Sequence, residues 1–262
     1  MHFIKSILFS DYDHTLCEYG SPEVFPKNQA AIDKWRKAGN HFVIATGRGE
    51  ESLRSVFRDY DAYCDYCILC DGGYVIDRTG SVIFIDKFGD ILSQKLNAAI
   101  SSIRHNAPYA TICFRDKMEA STISADTCKI RFWFEALDDC IATEKMLANQ
   151  FPEELDCISY HNAAFNDDAR LPWINQSMRH IIEVTRLGTN KYTGIQKLLS
   201  ATGFHDDANV TTIGDGKNDL CMIFPFDGYV VKNGDPAVVG QIRPDHRVPH
   251  LHSLITLKLL QH

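Results

Sequence analysis

No apolar stretch in these 262 residues approaches the roughly 20 needed to cross a bilayer as a helix, so a membrane-spanning protein is not expected. The opening "MHFIKSILFSD" lacks both the length and the small-residue cleavage site of a secretory leader. Positive charge is also in short supply: 27 Lys and Arg face 34 Asp and Glu, a formal net charge of -7, and the basic residues form no stripe. Nucleic acid is therefore not an expected partner. No internal repeat or low-complexity linker interrupts the chain. The nine cysteines are an odd number, whereas a secreted protein normally pairs its thiols, so reduced thiols and a cytoplasmic location are expected.

What is present is an ordinary globular composition, 45% apolar and 23% charged, in a chain long enough for two domains. Short runs rich in Val, Ile and Phe alternate with amphipathic stretches of helical length. "FIKSILFS", "HFVIAT" and "CDYCILC" read as strands, with helices over "PKNQAAIDKWRKAG" and "EESLRSVFRDY" between them. Strands separated by helices pair in parallel. The texture then changes. "GGYVID-RTG-SVIFID" reads as a hairpin, and the following segment as two helices and about four strands of antiparallel character. From "NKYTGIQKLLSATG" onward the helix and strand alternation resumes. The expected fold class is α/β, a doubly wound, mostly parallel sheet with an inserted α+β cap domain. The expected boundaries are 1–86 and 187–262 for the core and 87–186 for the insert.

Two cysteine and histidine clusters could suggest metal. In "CDYCILC" an extended strand would point Cys64 and Cys70 one way and Cys67 the other, so they read as buried structural thiols. His246, His250 and His252 in "HRVPHLH" have no adjacent Cys or carboxylate cluster and read as a surface loop.

The chemistry gathers at strand ends. The first strand delivers Asp11 and Asp13, the second Thr46-Gly47-Arg48, and "TTIGDGKNDL" delivers Asp215, Asn218 and Asp219. In an open parallel sheet the carboxyl ends of the strands share one edge, so residues far apart in sequence converge there. Carboxylates crowded in this way need a cation among them, and hard oxygen donors favour Mg²⁺. If the ion takes Asp11 and Asp215, Asp13 is left to exchange protons. Thr46, the Gly47 amide and Lys191 are donors suited to a phosphoryl group. Each motif alone has a plainer reading: strand-end aspartates cap turns, "GDGKND" starts a capped helix, and Lys191 lies on the surface.

Together, "DYDHT", "ATGR", Lys191 and "GDGKND" resemble the four ordered motifs of the haloacid dehalogenase superfamily of phosphohydrolases, over nearly the whole chain. An insert between the second and third motifs is similar to the Cof-type sugar-phosphatase branch. The resemblance implies a HAD-like Rossmannoid core and a phosphatase of small phosphorylated metabolites, with no obligatory protein partner inferred. It implies that Asp11 attacks phosphorus to form an aspartyl-phosphate, while Asp13 protonates the leaving alcohol and then activates water. It also implies Mg²⁺ held by the Asp11 carboxylate, the Asp13 carbonyl and Asp215, with Asp219 in the outer shell. Thr46, Gly47, Lys191 and Asn218 would hold phosphate, and Arg48 would either touch substrate or brace its loop. The insert would choose the leaving group, with Trp133 stacking on a sugar-like group or else lying on a partly solvated sheet face. A phosphosugar mutase and a phosphoryl-accepting signalling domain are the rival functions; the second would be about half this length. Because the family most often has glycine at position 14, His14 argues for an ordinary, negative-φ backbone there.

Overall fold

The computed structural model describes residues 6–102, 108, 110–115, 118–161, 179–204 and 209–261. Parts of the expected elements at 3–5, 103–106, 109, 116 and 162–163 lie outside them. In chain order the elements are β1 (Ser6–Ser10), α1 (Val24–Lys37), β2 (His41–Ala45), α2 (Glu50–Val56), α3 (Tyr60–Tyr63), β3 (Tyr66–Leu69), β4 (Tyr74–Asp77), β5 (Val82–Ile85) and α4 (Gly89–Ser102). There follow β6 (Ala110–Phe114), β7 (Glu119–Ala120), β8 (Lys129–Phe134), α5 (Leu137–Gln150), β9 (Leu155–Tyr160), β10 (His180–Arg186) and α6 (Lys191–Thr202). The chain closes with β11 (Asn209–Gly214), α7 (Leu220–Ile223), β12 (Asp227–Val231), α8 (Pro236–Val239), β13 (Arg247–Val248) and α9 (Leu251–Leu260).

The chain divides into two compact units. The first comprises Met1–Arg48, Ser52–Phe84 and Asn190–His262; the second comprises Gly49–Glu51 and Ile85–Thr189. The larger sheet runs β13-β12-β11-β1-β2-β3-β4-β5. Strands β1, β2, β3, β11, β12 and β13 pair in parallel, and β4 turns back against β3. From β1 the chain winds outward through β2 and β3, then returns to β11 on the other side of β1. The strand order therefore reverses between β1 and β11, the kind of crevice where ligands bind in open α/β sheets.

The residue pattern explains these strands. Ile7, Phe9, Val43, Ala45, Ile68 and Val75 form one apolar face, packed with Ile195 and Leu198 of α6. Strand β1 is buried throughout, as a central parallel strand covered on both faces must be. On α1, Ile32 and Trp35 are fully buried, each worth on the order of 2 kcal/mol of transfer free energy. The hairpin turn between β4 and β5 is held by Asp77, whose Oδ1 accepts from the Thr79 and Ser81 amides at 2.8 and 3.0 Å.

The second unit carries an antiparallel sheet ordered β7-β6-β8-β10-β9. Ile130, Phe132 and Phe134 alternate onto the face that joins Leu92 and Leu96 of α4 and Cys140 and Leu147 of α5 in one core. The opposite face is partly solvated, as one expectation had it: Arg131 is half-buried and Glu135 is exposed. Trp133 and Lys129 are buried, and Lys129 Nζ lies 2.9 Å from Glu183 Oε1, which also accepts from Arg131 Nε at 2.8 Å.

Three local expectations need correction. Strand β3 spans only four residues, so the alternation assumed for 64–70 does not hold: the Cys64 and Cys67 sulfurs approach to 3.3 Å, and Cys70 turns out of the strand at φ 54°. All three thiols are nevertheless buried and free, as expected of structural cysteines. The histidines near the C-terminus are not on a loose loop. His246 stacks on Tyr229 at 4.4 Å, while His250 Nδ1 lies 2.7 Å from Glu18 Oε1 and its ring stacks on His252. His14 has φ 59°, the left-handed region that its side chain had argued against.

Candidate active site

Asp11 directly follows β1, and its amide donates to Ile213 O of β11 at 3.0 Å, so the two strand ends lie side by side. This adjacency brings residues about 200 apart in sequence into one cluster. One carboxylate oxygen from each of Asp11, Asp215 and Asp219 can be chosen so that all lie within 4.8 Å of one another. Thr15 Oγ1 donates to Asp215 Oδ1 at 3.0 Å and fixes that carboxylate from the loop after β1.

Lys191 enters at the first turn of α6. The helix starts with a reciprocal cap: Asn190 Oδ1 accepts from the Thr193 amide at 3.1 Å, and Thr193 Oγ1 accepts from the Asn190 amide at 3.0 Å. Its start is pressed against the turn after β3. A Cβ on Gly72, which has φ 99°, would meet Asn190 O at 2.1 Å, so only glycine permits this approach. Lys191 is thereby buried, with Nζ 2.6 Å from both Asp11 Oδ1 and Asp219 Oδ1.

Asp219 has both oxygens engaged. Oδ1 takes the Lys191 ammonium, while Oδ2 accepts the Asp215 and Gly216 amides at 3.0 and 2.9 Å. Gly214 makes room, because a Cβ there would stand 2.3 Å from Asp219 Cγ. The plainer reading of "GDGKND" as a capped turn is thus also true: the carboxylate that closes the turn joins the cluster.

The electrostatics follow from burial. Burial, the largest influence, pushes the Asp11 carboxyl well above the usual carboxylate range. Lys191 opposes this, and Asp219, Asp215 and Asp13 reinforce it. Asp215 is pushed up to about 7, by burial first and the Asp219 charge next. For Lys191 burial works downward, but Asp11, Asp219 and Asp71 outweigh it and hold the ammonium protonated. One buried cation therefore serves several carboxylates, and the donor set fits a small hard divalent ion such as Mg²⁺.

Asp13 belongs to a second arrangement. Arg48 grips it through Nε on Oδ2 at 2.8 Å and Nη2 on Oδ1 at 2.7 Å, and the Tyr19 hydroxyl donates to Oδ1. Burial alone would raise this carboxyl, but the bonds and charge of Arg48, with the Tyr19 bond, hold it below the usual range. Arg48 also reaches Ser52 Oγ at 3.1 Å.

Thr46 is buried at the end of β2, which pairs with β1, and its Oγ1 accepts the Arg48 amide at 3.2 Å; Gly47 lies between them. Asn218 donates through Nδ2 to Asp71 Oδ1 at 3.0 Å. Asp71 and Tyr19 were not singled out in the sequence, and Thr15 entered only as the last residue of "DYDHT", without a role. Asp71 is buried and, like Cys70, has a left-handed backbone. "CDGG" signals only a turn, although such strain in non-glycine residues clusters at functional sites.

The model of a family described as haloacid dehalogenase-like hydrolases matches residues 8–242. Among solved structures, a HAD/COF-like hydrolase from Plasmodium vivax is similar at 19% identity, covering 99% of this chain and 97% of that one, with a TM-score of 0.72. A phosphatase of the same superfamily from Bacteroides thetaiotaomicron matches at 20% identity, 99% and 95% coverage and a TM-score of 0.70. A HAD subclass IIB sugar phosphatase matches at 16% identity, covering 95% of each chain, with a TM-score of 0.68. No protein among curated sequences matches. At these identities the solved structures support the fold, and the family match covers well over half the chain: it belongs to the haloacid dehalogenase-like hydrolases.

Proposed function

We propose that this hydrolase is a Mg²⁺-dependent phosphatase of small phosphate monoesters, sugar phosphates or related metabolites, working through an aspartyl-phosphate. The observation that carries this reading is the buried Asp11–Lys191–Asp219 cluster, with Asp215 beside it, at the point where the strand order reverses. An Asp11 oxygen forms a bond to phosphorus as the bond to the leaving oxygen breaks, and water later displaces the aspartate, dividing one hard displacement into two. Asp13 gives its proton to the departing alkoxide and takes one from the attacking water. Thr46, the Gly47 amide, Lys191 and Asn218 bind the phosphoryl oxygens, and Asp71 orients Asn218. Asp11, Asp215 and the Asp13 carbonyl would hold Mg²⁺, with Asp219 behind them, and the ion would offset charge on the phosphoryl group. Arg48 is read as the brace of Asp13 and its loop. The inserted unit is read as the part that selects the leaving group, with Trp133 as a candidate contact.

Nine free cysteines support a reducing, cytoplasmic setting. Among the described residues no helix is long and apolar enough to cross a membrane. The test is phosphate release from a panel of phosphate esters. Native protein with Mg²⁺ should turn over at least one ester, EDTA should silence it, and Asp11→Asn should reduce release to background with the fold intact. Persistent turnover by that variant would overturn the mechanism. A requirement for a sugar bisphosphate, with little free phosphate released, would instead indicate a mutase.

A further inference from the structure

Tyr19 lies outside the four family motifs, yet its hydroxyl joins the second arrangement at two points. It donates to Asp13 Oδ1 and accepts from Arg48 Nη2 at 3.1 Å. Core packing does not explain its placement, because the residue is 53% exposed. The loop that carries it is nevertheless closely held. Leu16 N bonds to Asp11 O at 3.3 Å and Cys17 N to Tyr12 O at 2.8 Å, folding the chain back on the strand end. Glu18, the neighbour of Tyr19, is buried and anchored on His250 Nδ1 at 2.7 Å. His14 presents its ring in an edge contact with Tyr19, with centroids 5.2 Å apart, and does so from a left-handed backbone.

Two donors therefore occupy Asp13 Oδ1, whereas Oδ2 receives Arg48 Nε. We propose that Tyr19 is a positioning residue for Asp13: together with Arg48, which engages both oxygens, it holds Oδ1 and fixes the orientation of the carboxylate toward the leaving group. This inference rests on the acid/base role given to Asp13 above. In the first step Asp13, having taken a proton from solvent, passes it to the leaving oxygen as the Asp11–phosphorus bond forms and the P–O bond breaks, the bonding pair staying with that oxygen. Arg48 reaches the carboxylate from the loop after β2, where it is also tied to Ser52 Oγ. The tyrosine, tied to a different loop, gives the carboxylate a second point of reference.

The test compares Tyr19→Phe with native protein in Mg²⁺ on two probes, glucose 6-phosphate, whose alkoxide needs a proton, and p-nitrophenyl phosphate, whose phenolate leaves without one. The expected result is a fall in kcat/KM of about tenfold for the sugar phosphate, carried by kcat, and less than about twofold for the aryl ester. An equal fall on both probes, or no fall on either, would overturn the inference while leaving the phosphatase reading standing. If native protein hydrolysed neither probe nor any other ester in the panel, both would be overturned. An unfolding midpoint for Tyr19→Phe within about 2 °C of native would show that a selective loss is not partial unfolding.

Discussion

Asp11 and Asp13 are the same residue type two positions apart on one strand end, yet the molecule treats them in opposite ways. Asp11 is buried and shares a buried ammonium with Asp219, and its carboxyl is raised. Asp13 keeps 30% of its side chain exposed, answers to a guanidinium and a phenol, and has its carboxyl lowered. The chain near Asp11 comes from three distant strand and helix ends; the chain near Asp13 comes largely from adjacent loops. A buried position is defined by the fold as a whole and suits the nucleophile's role proposed for Asp11. A rim position stays open to solvent and ligand, which suits the proton exchange proposed for Asp13.

Removing the cation from each arrangement exposes that contrast most strongly. Lys191→Met leaves buried carboxylates without their ammonium and should cost about 3 kcal/mol of stability in urea unfolding. It should also lower kcat/KM by at least about a hundredfold, the scale of losing one preorganised donor to a phosphoryl group. Arg48→Met acts on a pair that remains partly solvated and should cost only about 1 kcal/mol. Equal destabilisation by the two variants would show that the centre and the rim are not distinct environments.

A smaller effect separates the two by pH. Asp215 sits at about 7 in the fold against 3.8 for the free side chain, so the fold favours its protonated form. The stability from that preference is complete below about pH 4 and is lost as pH rises through 7. Asp11 shifts in the same direction. Asp13 has the opposite sign: it stabilises above its ordinary value and loses that contribution as pH falls. In EDTA the carboxylate centre should therefore weaken between pH 5 and pH 7.5, while the proposed Mg²⁺ would bind the ionised form and offset the loss. The measurement is the gap between unfolding midpoints in Mg²⁺ and in EDTA, which should widen over that range. A gap independent of pH would remove the assignment of the raised carboxyls to the metal centre.

The sequence exposed the centre better than the rim for a physical reason. An apolar run ending in "DYD" or "GDG" is a short-range pattern, and parallel topology alone then gathers those ends at one edge. Lys191 was legible because a cation at a helix start, after the insert, completes the set. Tyr19 and Asp71 matter through contacts between segments, and nothing local distinguishes them from ordinary loop or turn residues, whereas Thr15 stood in "DYDHT" and only its bond to Asp215 was hidden. The error over Cys64 to Cys70 has the same origin: alternation presumes a strand, and that strand ends where the chain must turn to meet the start of α6. Strands of two residues such as β7 and β13 are likewise defined by their partners rather than by their own composition.

His14 is the point where local reasoning gave the wrong sign, and it offers the finest test. A β-carbon at φ 59° costs about 1 kcal/mol relative to glycine. Both His14→Ala and His14→Gly delete the ring that meets Tyr19, so the difference between them isolates the backbone. The more flexible unfolded chain works against glycine, yet where φ is positive alanine should still be the less stable of the two, by roughly 0.5 to 1 kcal/mol in urea unfolding. Were alanine the more stable, position 14 would have an ordinary backbone after all. Greater stability for glycine would mean that this loop accepts strain to carry an imidazole, and the edge contact with Tyr19 gives that strain its use.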